Sequence, residues 1–299
     1  MDEFQLIDLI VETLGPTAQA PWVRVGPGDD CTVTDLPAGH QLVSSIDTLL
    51  GGVHFPIDSN PQLIGYRAMM VSLSDVVAMG AKPAFVMIAL TLPDADEVWV
   101  RALADGIRRA AQVSGAAVAG GNITRGPVCL SLSVHGSLPA GTALLRSGAR
   151  PGDGVYVSGE IGGAAFALKT GKLEAYAGLD HLDPAGRAYF APAPPFHLAD
   201  AIRTSASAAI DVSDGLLQDL GHLCKASGVG VDLKEKLIPV FAGMSVADAV
   251  NGSDDYVMCF TSPGFELPGV TRIGTVTAEP GIWIDGVAQN LTGYQHFNS

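Results

Sequence analysis

Six aspartates sit where an ionised carboxylate is hard to keep. Asp29 and Asp30 lie in VGPGDDCTV, Asp47 follows the strand-like run QLVSSI, and Asp75 interrupts MMVSLSDVVAMG. Asp211 and Asp214 lie in AAIDVSDGLL. Away from water, a carboxylate must be paired, hydrogen-bonded or bound to metal. Lys and Arg number only 17 against 31 Asp and Glu, so basic partners are few. A divalent cation suits such hard oxygen ligands. Mg²⁺ fits well, because it binds through one or two carboxylates and completes its shell with substrate phosphates. Taken singly, Asp29 also reads as a turn residue and Asp214 as a helix N-cap. The set as a whole points to metal.

The rest of the chain sets the frame. Its 299 residues suit two domains rather than one core. With 47% hydrophobic and 16% charged residues, there is ample apolar material for buried sheets and helices. The net charge is −14 and no Lys/Arg cluster appears, which argues against a nucleic-acid binder. Part of that acidity also serves solubility. No apolar run approaches the roughly 18 residues of a membrane span. The acidic start MDEFQLIDLIVETLG lacks the basic region of a signal peptide and reads as an amphipathic helix of a cytoplasmic protein. Cys31, Cys129, Cys224 and Cys259 are scattered, without zinc-like spacing, and read as reduced thiols.

The pattern is mixed α/β. A helix over 1–15 ends at Gly15-Pro16, and a strand over 41–46 runs into Asp47. Asn60-Pro61 starts a helix, as N-cap followed by Pro at N1. Residues 84–92 read as a strand buried on both faces, 94–114 as an amphipathic helix closed by Gly115, and 116–119 and 128–137 as strands. The Gly-, Pro- and Arg-rich stretch 138–154 is the expected boundary, giving domains 1–140 and 141–299. Beyond it, helices are expected near 162–170, 196–205 and 214–226, and strands near 154–159, 207–211 and 229–233. A strand-and-hairpin tail turns at Asp285-Gly286.

Three glycine segments, VGPGDD, AVAGGNITRG and VSGEIGG, offer backbone N–H groups that can cradle phosphate, though such loops are usually just turns. Arg125 and Arg146 lie in or near such loops and read either as phosphate forks or as surface residues. No P-loop, protein-kinase, G-x-S-x-G or H-E-x-x-H motif is present. Without a P-loop lysine, an ATP enzyme of this kind must lean on metal for charge neutralisation. His54, close after Asp47, reads either as a site residue or as a loop histidine.

Seven motifs in order then resemble the thiamine-monophosphate kinase family. They are GDDC at 28–31, SxDTLxxGVHF at 45–55, SLSDVVAMGA at 72–81, GGNxTRG at 120–126, RSGAxPGD at 146–153, IDVSDGLxxDL at 210–220 and GYxHF at 293–297. The superfamily also contains aminoimidazole ribonucleotide synthetase, selenophosphate synthetase and a hydrogenase maturation factor. The resemblance implies an N-terminal α/β domain that dimerises through its sheet, a C-terminal α+β domain, and an ATP cleft between them. It also implies several Mg²⁺ ions and transfer of the ATP γ-phosphoryl group to thiamine monophosphate, giving thiamine diphosphate and ADP. Carried over by position, Asp30, Asp47, Asp75, Asp211 and Asp214 are metal ligands and catalytic residues, with Ser45 and Ile46 in the same ligand cluster. Gly121, Asn122, Arg146 and Ser213 correspond to ATP contacts, with Asn122 also a metal ligand. His54, Asp254 and Tyr294 correspond to substrate contacts.

Several positions depart from the family pattern, Val257 among them, where an acid is usual. Ile46 stands where Thr is common, so only its carbonyl can serve a metal. Asn122 stands where Asp is common, and Asp254 replaces Glu in the segment GSDDYVM at 252–258. Another ATP-dependent enzyme of the superfamily, or a non-catalytic MgATP-binding protein, are the competing readings.

Overall fold

The computed structural model describes residues 3–28, 30–171 and 173–290. The elements run α1 Glu3–Leu14, β1 Val23–Val25, β2 Val33–Thr34, β3 His40–Leu50, α2 Pro61–Ala78, β4 Lys82–Leu92, α3 Glu97–Ser114, β5 Ala117–Arg125 and β6 Cys129–Pro139. They continue β7 Gly154–Val157, α4 Gly163–Thr170, α5 Pro184–Phe190, α6 Ala199–Ser205, β8 Ala208–Asp211, α7 Leu216–Ser227, β9 Gly230–Leu233 and α8 Val246–Val250. Four strands close the described chain: β10 Met258–Ser262, β11 Thr271–Thr277, β12 Gly281–Ile284 and β13 Val287–Ala288. The protein is mixed α/β, with a separate main sheet in each of two compact units. No described helix is long and apolar enough to cross a membrane.

Unit 1 takes in Met1–Val76, Lys82–Gly141 and Lys172–Pro192. Its four-stranded sheet has the order β3-β6-β4-β5. Only β4 and β5 are parallel, and α3 is the crossover that parallel neighbours require. The end signals read from sequence act as expected. Asn60 Oδ1 accepts from Gln62 N at 2.9 Å, and Asp96 Oδ1 caps α3 through Val98 N and Trp99 N. Gly115 ends α3 in the left-handed conformation, with φ 75°. Gly65 and Gly106 let α2 and α3 meet backbone to backbone: a Cβ on Gly106 would overlap the Gln62 carbonyl, and one on Gly65 the Leu103 carbonyl.

One face of this sheet is fully covered, with Val86, Leu90 and Leu92 of β4 beside Leu130, Leu132 and Val134 of β6. The other face is not. Ala89 is exposed, and Met87 and Thr91 are half-buried. The expectation that β4 is buried on both faces is therefore corrected. The single chain lays helices on one side only, leaving Leu42, Ile46 and Leu50 open on the other.

Residues 172–192, which the sequence reading assigns to the second half, group with unit 1. Asn60 Nδ2 donates to Ala177 O at 2.7 Å, Leu179 N to Gln62 Oε1 at 2.9 Å, and Arg109 pairs with Asp180 at 2.9 Å. The short helix α5 in this segment gave no periodic signal long enough to read.

Unit 2 takes in Val77–Ala81, Thr142–Gly171 and Ala193–Ser299. Its seven-stranded sheet has the order β13-β12-β9-β11-β7-β10-β8, and only β12 and β9 pair in parallel. The central strands are buried on both faces. Val155, Val157, Ile210 and Cys259 join a core with Leu216, Leu220 and Leu223 of α7. Tyr156, Ala209, Met258 and Phe260 face the opposite layer, with Leu198, Ala199 and Ile202. The Asp285-Gly286 turn joins β12 to β13 with positive φ at both residues, 49° and 80°. That is the type I′ geometry such a dipeptide favours.

Candidate active site

In unit 1 the strand alternation of β3 sorts the residues around Asp47. Ser45 and Asp47 share a face with the buried Leu49, while Ser44, Ile46 and Thr48 take the other. On the inner face, Ser45 Oγ donates to Asp75 Oδ2 of α2 at 2.5 Å. Burial, with the like charge of Asp75, raises the Asp47 carboxyl to about 6 against the pull of a hydrogen bond from the Ser72 hydroxyl. Ser72 is fully buried. Two repelling carboxylates beside the buried Ser72 hydroxyl fit a cation. Among the described residues no three His, Cys, Asp or Glu side chains cluster as a complete metal cage. Such a site needs oxygens from outside the protein, as Mg²⁺ sites on phosphate substrates do. The Ile46 side chain is 68% exposed on the opposite face, so nothing but its carbonyl is available as a ligand.

Asn122 is not brought to this cluster. The sheet register aligns Asp47 with Leu132, Ile88 and Gly121, and Thr48 with Ser131, Ala89 and Asn122. Asn122 thus lies on the other face and at the far edge, about 14 Å away by three interstrand spacings. Gly121 is where β5 crowds β4, since a Cβ there would overlap the Ile88 carbonyl. Asp30 is exposed on the turn between β1 and β2. Thr32, two residues on, donates to Ala119 O at 2.6 Å, so this turn is tied to β5.

His54 sits in the tight loop after β3. Its Nδ1 accepts from Leu50 N at 3.0 Å, its own N–H donates to Leu50 O at 2.9 Å, and Gly52 turns the chain with φ 79°.

In unit 2, β8 delivers Asp211, 5% exposed, to a loop that carries Ser213 and Asp214. Asp219 holds that loop. Its Oδ2 accepts from Ser213 N and Asp214 N at 3.0 Å and from Gly215 N at 3.2 Å. Burial raises the Asp219 carboxyl to about 7 against the pull of these N–H groups. The N-cap of α7 is Gly215, without a side-chain cap, so Asp214 is not an N-cap. The segment 254–256 docks on the same loop: Asp254 N donates to Ser213 O at 2.8 Å and Tyr256 N to Val212 O at 2.7 Å. Asp254 and Tyr256 both have positive φ, 72° and 52°, and Tyr256 Oη donates to Asp254 Oδ1 at 2.9 Å. Two strained residues in three positions are typical of a site whose geometry is imposed by its surroundings.

The VSGEIGG segment is not free to cradle phosphate. Both oxygens of Asp255 accept from Gly162 N, at 2.9 and 2.8 Å, and Gly163 and Ala164 donate to the same carboxylate. Arg146 is exposed, and its carbonyl accepts from Ser227 Oγ at 2.9 Å. Ser227 ends α7, roughly 18 Å of helix from the loop at its start. Unit 2 by itself therefore anchors Arg146 away from Ser213. Tyr294, the GYxHF motif and Asp29 lie outside the described residues.

Sequence reasoning gave no role to Asp219, Asp255 or Ser72. A signal existed for the two acids, since each stands in an apolar or glycine-flanked run, yet their partners are backbone groups that no spacing reveals.

Residues 28–138 match the family model described as AIR synthase related protein, N-terminal domain, and 150–284 match its C-terminal domain. Thiamine-monophosphate kinase of Salmonella typhimurium is 41% identical over 81% of this chain and 77% of its own length. The chain belongs to the thiamine-monophosphate kinase family. A crystal structure of that kinase from Stenotrophomonas maltophilia superposes with a TM-score of 0.86 at 36% identity, covering 97% of this chain and 98% of the other. The structure described as AaThiL complexed with AMPPCP and TMP gives 0.80 at 29% identity, covering 99% and 97%.

Proposed function

We propose that this chain transfers the γ-phosphoryl group of ATP to thiamine monophosphate, giving thiamine diphosphate and ADP. The observation that carries the reading is the Asp47–Asp75–Ser45 cluster beside the buried Ser72, in a chain of this family. A relative of the same fold binds the ATP analogue AMPPCP together with TMP.

Phosphoryl transfer asks the protein for positioning and charge stabilisation rather than covalent chemistry. The acceptor is already an anionic phosphate, with a second pKa near 6, and needs no strong base. The obstacle is repulsion between two polyanions. Asp30, Asp47, Asp75, Asp211 and Asp214, with Ser45, the Ile46 carbonyl and Asn122, would hold Mg²⁺. When bound, Mg²⁺ neutralises charge between the donor and acceptor phosphates. Asp219 holds Ser213 and Asp214 in place for this, and Ser45 orients Asp75. Gly121, Asn122, Ser213 and Arg146 contact ATP; His54, Asp254 and Tyr294 contact thiamine monophosphate.

A homodimer completes the reading. Pairing the β3 edge of one protomer with the β5 edge of its partner would bring Asn122 near Asp47 across the seam, although their side chains leave opposite faces of the sheet. The open sheet face, with Leu42, Ile46 and Leu50, is the surface such pairing would cover. Four free cysteines suit a reducing cytoplasm.

The test is to incubate the purified protein with MgATP and thiamine monophosphate and to look for thiamine diphosphate by thiochrome fluorescence. Product from the monophosphate, absent without Mg²⁺ and absent with free thiamine, is the expected result. ATP binding without product would refute it in favour of a non-catalytic binder.

A further inference from the structure

The geometry points to Tyr189 and Arg67 as positioning residues that hold His54 for its substrate, an inference that rests on the proposed contact between His54 and thiamine monophosphate. Arg67 is the largest fully buried side chain described, at 2% exposure, and Tyr189 is 3% exposed. Tyr189 Oη donates to His54 O at 2.9 Å, and Arg67 Nε reaches the same carbonyl at 3.4 Å. Arg67 Nη1 donates to Tyr189 O at 2.6 Å, and its guanidinium lies 4.0 Å from the centre of the Tyr189 ring. A buried cation stacked on a buried phenol is a rigid grip. Its object is the backbone of a half-buried loop histidine.

The ring of His54 is held as well. Leu50 N–H occupies Nδ1, which places the proton of a neutral ring on Nε2. The His54 carbonyl is thus held by Tyr189 and Arg67, and its N–H and ring by Leu50 of β3. Tyr189 belongs to the segment Lys172–Pro192 that groups with unit 1. That excursion supplies a substrate-positioning strut.

The experiment is steady-state kinetics of Tyr189→Phe, His54→Ala, His54→Gln, His54→Asn and the Tyr189→Phe/His54→Ala double variant. Phe keeps the ring over Arg67 and removes one hydrogen bond. The expected result is a KM for thiamine monophosphate raised roughly three- to tenfold in Tyr189→Phe, the scale of one lost hydrogen bond. Its kcat and KM for ATP stay within about twofold, and the double variant is no worse than His54→Ala. Gln, whose amide reaches the Nε2 position, retains more affinity than Asn. A normal KM in Tyr189→Phe beside a raised KM in His54→Ala overturns the positioning role while the substrate contact stands. A normal KM in His54→Ala overturns the contact itself. A loss shared equally by both substrates overturns positioning in favour of general structural support.

Discussion

At Asp255 two strong effects oppose each other, and pH separates them. Its carboxylate accepts both bonds from Gly162 N and further ones from Gly163 and Ala164, which favours the charged form. Burial favours the neutral form and wins, raising the group from 3.8 to about 7. For an acid raised in this way, the folded state prefers the protonated form. The stability it contributes is fully present below the unfolded value and is lost as pH rises through about 7. At about 1.36 kcal/mol per pH unit, the loss is about 4 kcal/mol over the whole window and about 3 kcal/mol between pH 5 and 8. Asp255→Ala lacks this titration, so the difference between parent and variant isolates it from the other raised acids. Urea unfolding followed by circular dichroism at pH 5, 6.5 and 8 is the assay. The unfolding free energy of the parent minus that of Asp255→Ala should fall as pH rises. At pH 5 the parent should be the more stable, since the variant strips the acceptor from N–H groups at the start of α4, at roughly 1–3 kcal/mol for each one left dry. A difference that grows with pH would refute the argument and make Asp255 an ordinary ionised helix cap.

Asp75→Asn should lower kcat by roughly 100-fold or more without unfolding the protein, the scale seen when one stabilising group is removed from a transition state; near-normal turnover at saturating Mg²⁺ would refute the ligand assignment. Asn122→Asp restores a charge at the far edge of the sheet. It should lower the Mg²⁺ concentration needed for half-maximal activity, and an unchanged Mg²⁺ titration would remove Asn122 from the ligand set. Gly106→Ala should destabilise the protein by about 1–3 kcal/mol in a thermal melt, because its Cβ overlaps the Gln62 carbonyl and neither helix can move alone. An unchanged melting temperature would mean that the α2–α3 contact accommodates a methyl group, refuting the close approach argued from Gly106.

Much of this protein was legible locally. Pro61 after Asn60, Asp96 ahead of α3, Gly115 behind it and Asp285-Gly286 between two strands act through neighbours in the chain, so short-range sequence carries their meaning. The aspartates in apolar runs were legible for a related reason: a carboxylate in such company needs an explanation wherever the fold puts it. What only the tertiary structure decided were pairings that no residue pattern announces. The β3-β6-β4-β5 order parts Asp47 from Asn122, although both carry family motifs, because strand order depends on which edges hydrogen-bond and not on what the strands contain. Asp255 filling the glycine loop at 162–164, Asp219 holding 213–215, and Tyr189 returning to grip His54 are contacts across 93, 6 and 135 positions of chain. Their partners are backbone groups, which every residue carries alike. A side chain that binds a backbone amide leaves no complementary residue type to read, and that is why these positioning residues appear only once the chain is folded.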